Sequence, residues 1–170
     1  EMQSDPSLRE VTAHGGLPLV VEVFRSLGLS EACDRHLQLK RRQRGFDEAT
    51  MVESFVTLLA AGGECLDDFG ALAADAGFVR LLGRAWPSAE AARKFLYAFH
   101  DERLTARPAD GPAAWIPPES AALCGLDAVN RQAVRTCAAR LPSQRIATVD
   151  LDATIIESHK QEALPHYDGG

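Results

Sequence analysis

Asp150 and Asp152 stand two residues apart in the run Ile146-Ala147-Thr148-Val149-Asp150-Leu151-Asp152-Ala153-Thr154-Ile155-Ile156. The run is rich in β-branched residues and predicts a strand, the one strand the sequence predicts. Side chains alternate faces along a strand, so Thr148, Asp150, Asp152 and Thr154 share one face, with Val149, Leu151, Ala153 and Ile155 on the other. Two carboxylates roughly 7 Å apart beside aliphatic neighbours are costly to bury. A hard divalent cation such as Mg²⁺ resolves that cost, because it takes oxygen ligands and is held by one or two carboxylates plus substrate phosphate. The plain alternative is a strand with one wet face.

A second group of residues suits phosphate. Arg35, Lys40, Arg41, Arg42 and Arg44 place five cations in ten residues ahead of Asp47. Such a cluster in a loop before a capped helix fits DNA backbone, which supplies most non-specific affinity and its salt dependence. A solvated turn balanced by Asp34, Asp47 and Glu48 is the competing reading. Further on, Pro87-Ser88 starts a helix with the apolar stripe Ala92, Phe95, Leu96 and Phe99, which leaves Glu90, Arg93, Lys94 and Tyr97 off that stripe. It is either the second helix of a helix-turn-helix or an ordinary helix with a solvated face. The cysteines, Cys33, Cys65, Cys124 and Cys137, are far apart and read as reduced, small, mostly buried residues, with no zinc site. His14, His36, His100, His159 and His166 have no ligand spacing among them.

The elements that position these groups are mostly helices. Leu17, Val20, Val21, Phe24 and Leu27 recur on one helix face, and Gly28 is placed to stop that helix in a left-handed cap. Ser30 is expected to cap a short helix through Ala32, Cys33 and Leu37. Asp47 reads as the N-cap of a longer, largely buried helix through Met51, Val52, Phe55, Val56, Leu58 and Leu59, ended by Gly62-Gly63. Short helical pieces follow around Leu66 to Ala74 and Phe78 to Leu82. Prolines and a glycine make 105–118 a linker, and one more helix is expected over Glu119 to Leu141, ended by Pro142. The fold class is therefore mainly α: a helical region over 1–104, the linker, a connecting helix over 119–144, and over 145–170 the first strand of an interrupted α/β domain. Such an interruption would expose apolar surface.

The chain has 170 residues with 24 acidic and 18 basic side chains, a formal net charge of −6. An acidic whole removes the simplest electrostatic argument for nucleic-acid binding, so any such function rests on local patches. No apolar run reaches the roughly 20 residues of a membrane span, and the start lacks a signal-peptide pattern, which gives a cytoplasmic expectation.

Two family resemblances bear on the aspartates. Val149-Asp150-Leu151-Asp152-Ala153-Thr154 resembles the first motif of haloacid-dehalogenase-like phosphatases, which implies Asp150 as nucleophile and Asp152 as general acid/base. Those enzymes need a lysine and further acids well downstream, whereas 18 residues follow Asp152. The second resemblance spans some 150 residues. His14-Gly15-Gly16-Leu17-Pro18-Leu19-Val20, Leu39 through Phe46, Ala60 through Asp68, Leu82-Gly83, Pro87-Ser88, Arg93 through Leu96, Phe99-His100-Asp101, Thr148 through Lys160 and Ala163-Leu164-Pro165 resemble the N-terminal part of bacterial DDE insertion-sequence transposases, nearest to the family numbered thirteen-eighty.

That resemblance implies a helical region that binds terminal inverted repeats, followed by an RNase H-like catalytic domain. Two aspartates and a glutamate there hold two Mg²⁺ ions for phosphodiester hydrolysis and strand transfer. The first carboxylate carries over to Asp152, with Thr154 matching the threonine of a D-x-T pattern; Asp150 is the alternative first ligand or a supporting neighbour. Lys40, Arg41, Arg42, Arg44, Arg93 and Lys94 become the candidate DNA contacts. With the second aspartate and the glutamate not in this sequence, the expectation is a catalytically inactive piece associated with the nucleoid. A non-catalytic DNA-binding or interfering remnant is the alternative, and self-association is left open.

Overall fold

The computed structural model describes residues 11–39, 45–106 and 117–141. Among them are eight helices and no strand: α1 (Leu17–Ser26), α2 (Leu29–His36), α3 (Glu48–Ala60), α4 (Asp68–Ala74), α5 (Ala76–Leu82), α6 (Ala89–Tyr97), α7 (Glu102–Thr105) and α8 (Ala121–Arg140). The mainly α reading holds for these residues. The expected strand over 145–156 lies outside them.

Local chemistry explains most of the boundaries. Gly28 takes φ 72°, the left-handed conformation that stops α1, and it also caps α2, so Ser30 lies inside that helix and does not cap it as expected. Asp47, Asp75, Ser88 and Ser120 each accept a hydrogen bond from a first-turn backbone N–H, starting α3, α5, α6 and α8. Leu141 is extended (φ −82°, ψ 149°), as the residue before Pro142 must be, and α8 ends at Arg140. The four-residue α7 has no apolar periodicity to announce it; Asp101 caps it through Arg103 N–H.

Two apolar clusters hold the helices together. In the larger, Phe69, Phe78 and Trp86 pack with Met51, Leu58, Ala92 and Phe95. The Phe69 and Trp86 ring centroids are 5.6 Å apart, those of Phe78 and Trp86 5.1 Å, and the Trp86 indole N–H donates to the Phe69 carbonyl at 3.1 Å. A buried aromatic group with its polar edge satisfied is the favourable arrangement. In the smaller cluster, α8 lies across α2, with Val129 against Phe24, Leu29, Ala32 and Cys33. Gly125 permits this crossing: a Cβ there would stand 2.2 Å from the His36 carbonyl oxygen.

Two expectations about burial are corrected. Val56 and Leu59 of α3 are exposed, while Glu53, Ser54 and Thr57 are buried in their place. Their hydroxyls are satisfied within the helix, Ser54 Oγ donating to the Thr50 carbonyl and Thr57 Oγ1 to that of Glu53, both at 2.7 Å. Of the cysteines only Cys33 is buried; Cys65, Cys124 and Cys137 are exposed, and all four are free thiols. Burial pushes the Cys33 thiol up to about 12, helped by Asp34, so this group is chemically inert at neutral pH.

Candidate nucleic-acid interface

The exposed face of α6 carries Arg93, Lys94 and Tyr97, as its stripe predicts. Ala92 and Phe95 point into the core, the Phe95 ring stacking on Phe55 at 5.9 Å and meeting Phe99 edge-on at 5.3 Å. Leu96, expected on the same stripe, is exposed instead. Ser88 caps the helix through Ala91 N–H at 3.2 Å, which sets the rotation of this face. Both cations are engaged on their own helix: Arg93 Nη1 lies 3.0 Å from Glu90 Oε2 and Lys94 Nζ 3.3 Å from Glu90 Oε1. These bonds, that of Lys94 first, hold the Glu90 carboxyl below its usual range. The three groups together carry one net positive charge, and such solvated pairs are weak enough for phosphate to compete with the carboxylate.

The second basic stretch falls between Leu39 and Gly45 in the sequence. Lys40, Arg41, Arg42 and Arg44 lie outside the described residues, but both ends of their segment are fixed. Leu39 and Phe46 pack against the cluster that takes Ala92 and Phe95 of α6. Leu39 also lines an open cavity of ≈ 590 Å³ with Ala98, Phe99, His100, Arg103 and Ser120. Leu39 thus lies next to the C-terminal end of α6. The connection from α5 to α6 spans 83–88, six residues with Gly83 at φ 67°, longer than the three or four of a helix-turn-helix; α6 packs on α4.

Asp150 and Asp152, the candidate Mg²⁺ ligands, also lie outside the described residues. Among the described residues no group of three or more His, Cys, Asp or Glu side chains is placed to hold a metal ion. No helix among them is long and apolar enough to cross a membrane.

Two polar constellations escape the sequence reading. Glu53 of α3 accepts from Arg25 of α1 (Nε 2.9 Å, Nη2 3.2 Å) and from Arg84 ahead of α6 (Nη2 2.8 Å, Nε 3.2 Å). Arg84 also donates to Ser54 Oγ at 3.1 Å, and its guanidinium lies 5.8 Å from the Trp86 ring centroid. A carboxylate held by two guanidinium groups is a clamp between three segments, with no free oxygen for proton transfer. The signal was present as polar residues at helical spacing, Thr50, Glu53, Ser54 and Thr57, but the partners lie 28 and 31 residues away.

The other constellation is at the start of the described chain. Asp75 Oδ2 accepts from Thr12 Oγ1 at 2.5 Å and lies 3.0 Å from His14 Nδ1, while its Oδ1 accepts from Phe78 N–H at 2.9 Å. These bonds, Thr12 first, lower the Asp75 carboxyl to about 2. His14 borders a cavity of ≈ 420 Å³ together with Leu58, Gly63, Cys65, Asp68 and Leu72. Asp68 is occupied by the backbone N–H groups of Glu64 and Cys65, at 2.8 and 3.0 Å, and by the Cys65 thiol, which hold its carboxyl low. The Asp75 bonds fasten residues 12–14 to the N-terminus of α5.

No family model, curated protein or solved structure matches the chain.

Proposed function

We propose that this chain is the DNA-contacting N-terminal part of a DDE-type transposase, which grips the terminal inverted repeats of its element through phosphate contacts. The reading is supported by the two cations on the solvent face of α6 and by a second basic stretch in the sequence, Lys40 to Arg44. Arg93 and Lys94 project from the solvent face of α6, and Leu39 and Phe46, which flank the Lys40 to Arg44 run in the sequence, pack on the apolar cluster that also takes Ala92 and Phe95. In an acidic chain this local concentration is what phosphate recognition requires.

On this reading Asp152, or Asp150 as the alternative first ligand, would help hold Mg²⁺, and the metal would supply activation of the attacking hydroxyl. The described residues bind and orient DNA. α6 is a rigid platform for two cations, and the run after Leu39 follows the backbone.

Fluorescence anisotropy with a labelled 30-base-pair duplex tests the reading. The wild-type chain is expected to bind with an affinity that falls steeply with salt, and the Lys40→Ala/Arg41→Ala/Arg42→Ala/Arg44→Ala variant to lose at least about tenfold, with a log–log salt slope reduced by up to about 4. Equal binding by the two proteins, or none by either at low salt, overturns it.

A further inference from the structure

Tyr97 closes the outer ridge of α6. At about 100° per residue it stands roughly 20° around the helix from Glu90, between Arg93 on one side and Lys94 on the other, and almost opposite the midpoint of the buried Ala92 and Phe95. Along the axis it lies about 6 Å beyond Arg93 and about 4.5 Å beyond Lys94. Tyr97 is 70% exposed, and among the described residues no ring or cation is seated on it. Glu90 draws both cations toward the N-terminus of the helix, the side away from Tyr97, which leaves the ring bare. The Ser88 cap and the contacts of Phe95 with Phe55 and Phe99 hold the rotation of this ridge, so the three groups are placed before any ligand arrives.

We infer that Tyr97 stacks on an unpaired base, so that α6 takes an opened or single-stranded stretch of DNA and not only duplex backbone. The inference rests on the DNA reading above and narrows its substrate. In a duplex both faces of a base are covered by its neighbours, and the outside offers phosphates and groove edges, neither of which calls for an aromatic ring. A single strand calls for one: its bases stack on aromatic side chains while basic groups follow the phosphates. With Arg93 and Lys94 on its two flanks, a base on the Tyr97 ring has a cation to either side for the phosphates next to it. An apolar protein groove is the poorer occupant, because closing it over Tyr97 takes the Arg93 and Lys94 charges out of water with Glu90 alone to share between them.

Anisotropy with three labelled DNAs of one sequence tests this: a single strand, a blunt duplex, and that duplex with an unpaired tail of about five bases. The wild-type chain is expected to hold the tailed duplex several-fold more tightly than the blunt one. Tyr97→Leu, which keeps apolar bulk and removes the ring, should lose at least about fivefold on the single strand and the tailed duplex, the low end for one base on an aromatic ring, and stay within about twofold on the blunt duplex. Tyr97→Phe should keep the wild-type pattern. Circular dichroism and melting temperature should be unchanged in both variants, as substitution of an exposed side chain requires.

Blunt and tailed duplexes held equally by the wild-type chain, or Tyr97→Leu equal to wild type on every DNA, overturns the inference. The DNA reading then still stands so long as the Lys40 to Arg44 variant loses duplex affinity. A Tyr97→Leu loss of the same size on all three DNAs also overturns it, since the ring then touches the duplex, and so does Tyr97→Phe falling as far as Tyr97→Leu, which makes the hydroxyl the contact. If no DNA is bound at low salt, both readings fall together.

Discussion

The two longest helices among the described residues treat their sequences in opposite ways. α3, with 13 residues, buries Glu53, Ser54 and Thr57 and leaves Val56 and Leu59 in solvent. α8, with 20 residues, buries only Gly125 and Val129 and leaves Leu123, Val134 and Leu141 exposed. α3 is packed on α1, α2 and α4, so nearly every direction around it is occupied and polar groups must be satisfied from neighbouring segments. α8 meets α2 alone. What is buried is decided by how many partners surround a helix, and side-chain apolarity does not decide it alone.

The largest break in this contrast comes from Glu53→Ala. It leaves the Arg25 and Arg84 guanidinium groups without their shared carboxylate, and a loss of about 3 kcal/mol is expected in urea unfolding. Val134→Ser on the exposed stripe should change stability by less than about 0.5 kcal/mol. If the apolar substitution proves the costlier of the two, the assignment of a crowded α3 and an open α8 is wrong.

Gly125→Ala sharpens the comparison at the point where α8 does pack. The added methyl meets the His36 carbonyl, so α8 has to lift from α2 at a cost of about 2 kcal/mol. A melting curve indistinguishable from that of the unmodified chain would remove the close crossing.

How much of this was legible follows the same line. Caps and stops at Gly28, Asp47, Ser88 and Pro142 are readable because their chemistry is local, and the start of α6 follows, with Ala92 and Phe95 of its expected stripe buried and Leu96 exposed. Ser30 was misplaced because Gly28 serves both the end of α1 and the start of α2. The Glu53 clamp and the Asp75 bonds were not readable, because each joins residues far apart in the chain and only packing brings them together. Of the candidate site, Arg93 and Lys94 stand on the predicted exposed face, whereas their shared engagement by Glu90 was not foreseen; periodicity separates faces but does not assign partners within one.

A smaller effect is expected from pH. The Asp75 carboxyl is lowered to about 2, below its usual value near 3.9. A depressed carboxyl stabilises the fold fully above its unfolded value and loses that contribution as pH falls through the folded one. The stability difference between the wild-type chain and Asp75→Asn should therefore be constant above about pH 5 and shrink between about pH 4 and 2. A difference that does not change over that interval would contradict the Thr12, His14 and Phe78 bonds to this group.

The most direct test of the DNA reading is duplex binding by Glu90→Gln, compared with Arg93→Ala/Lys94→Ala, measured by anisotropy over a range of salt. If α6 offers its cations to phosphate, Glu90→Gln releases both, binding tightens several-fold, and the double alanine variant loses affinity with a salt slope smaller by up to about 2. If neither variant departs from the wild-type chain, α6 does not touch DNA and its cations serve only to solvate the helix.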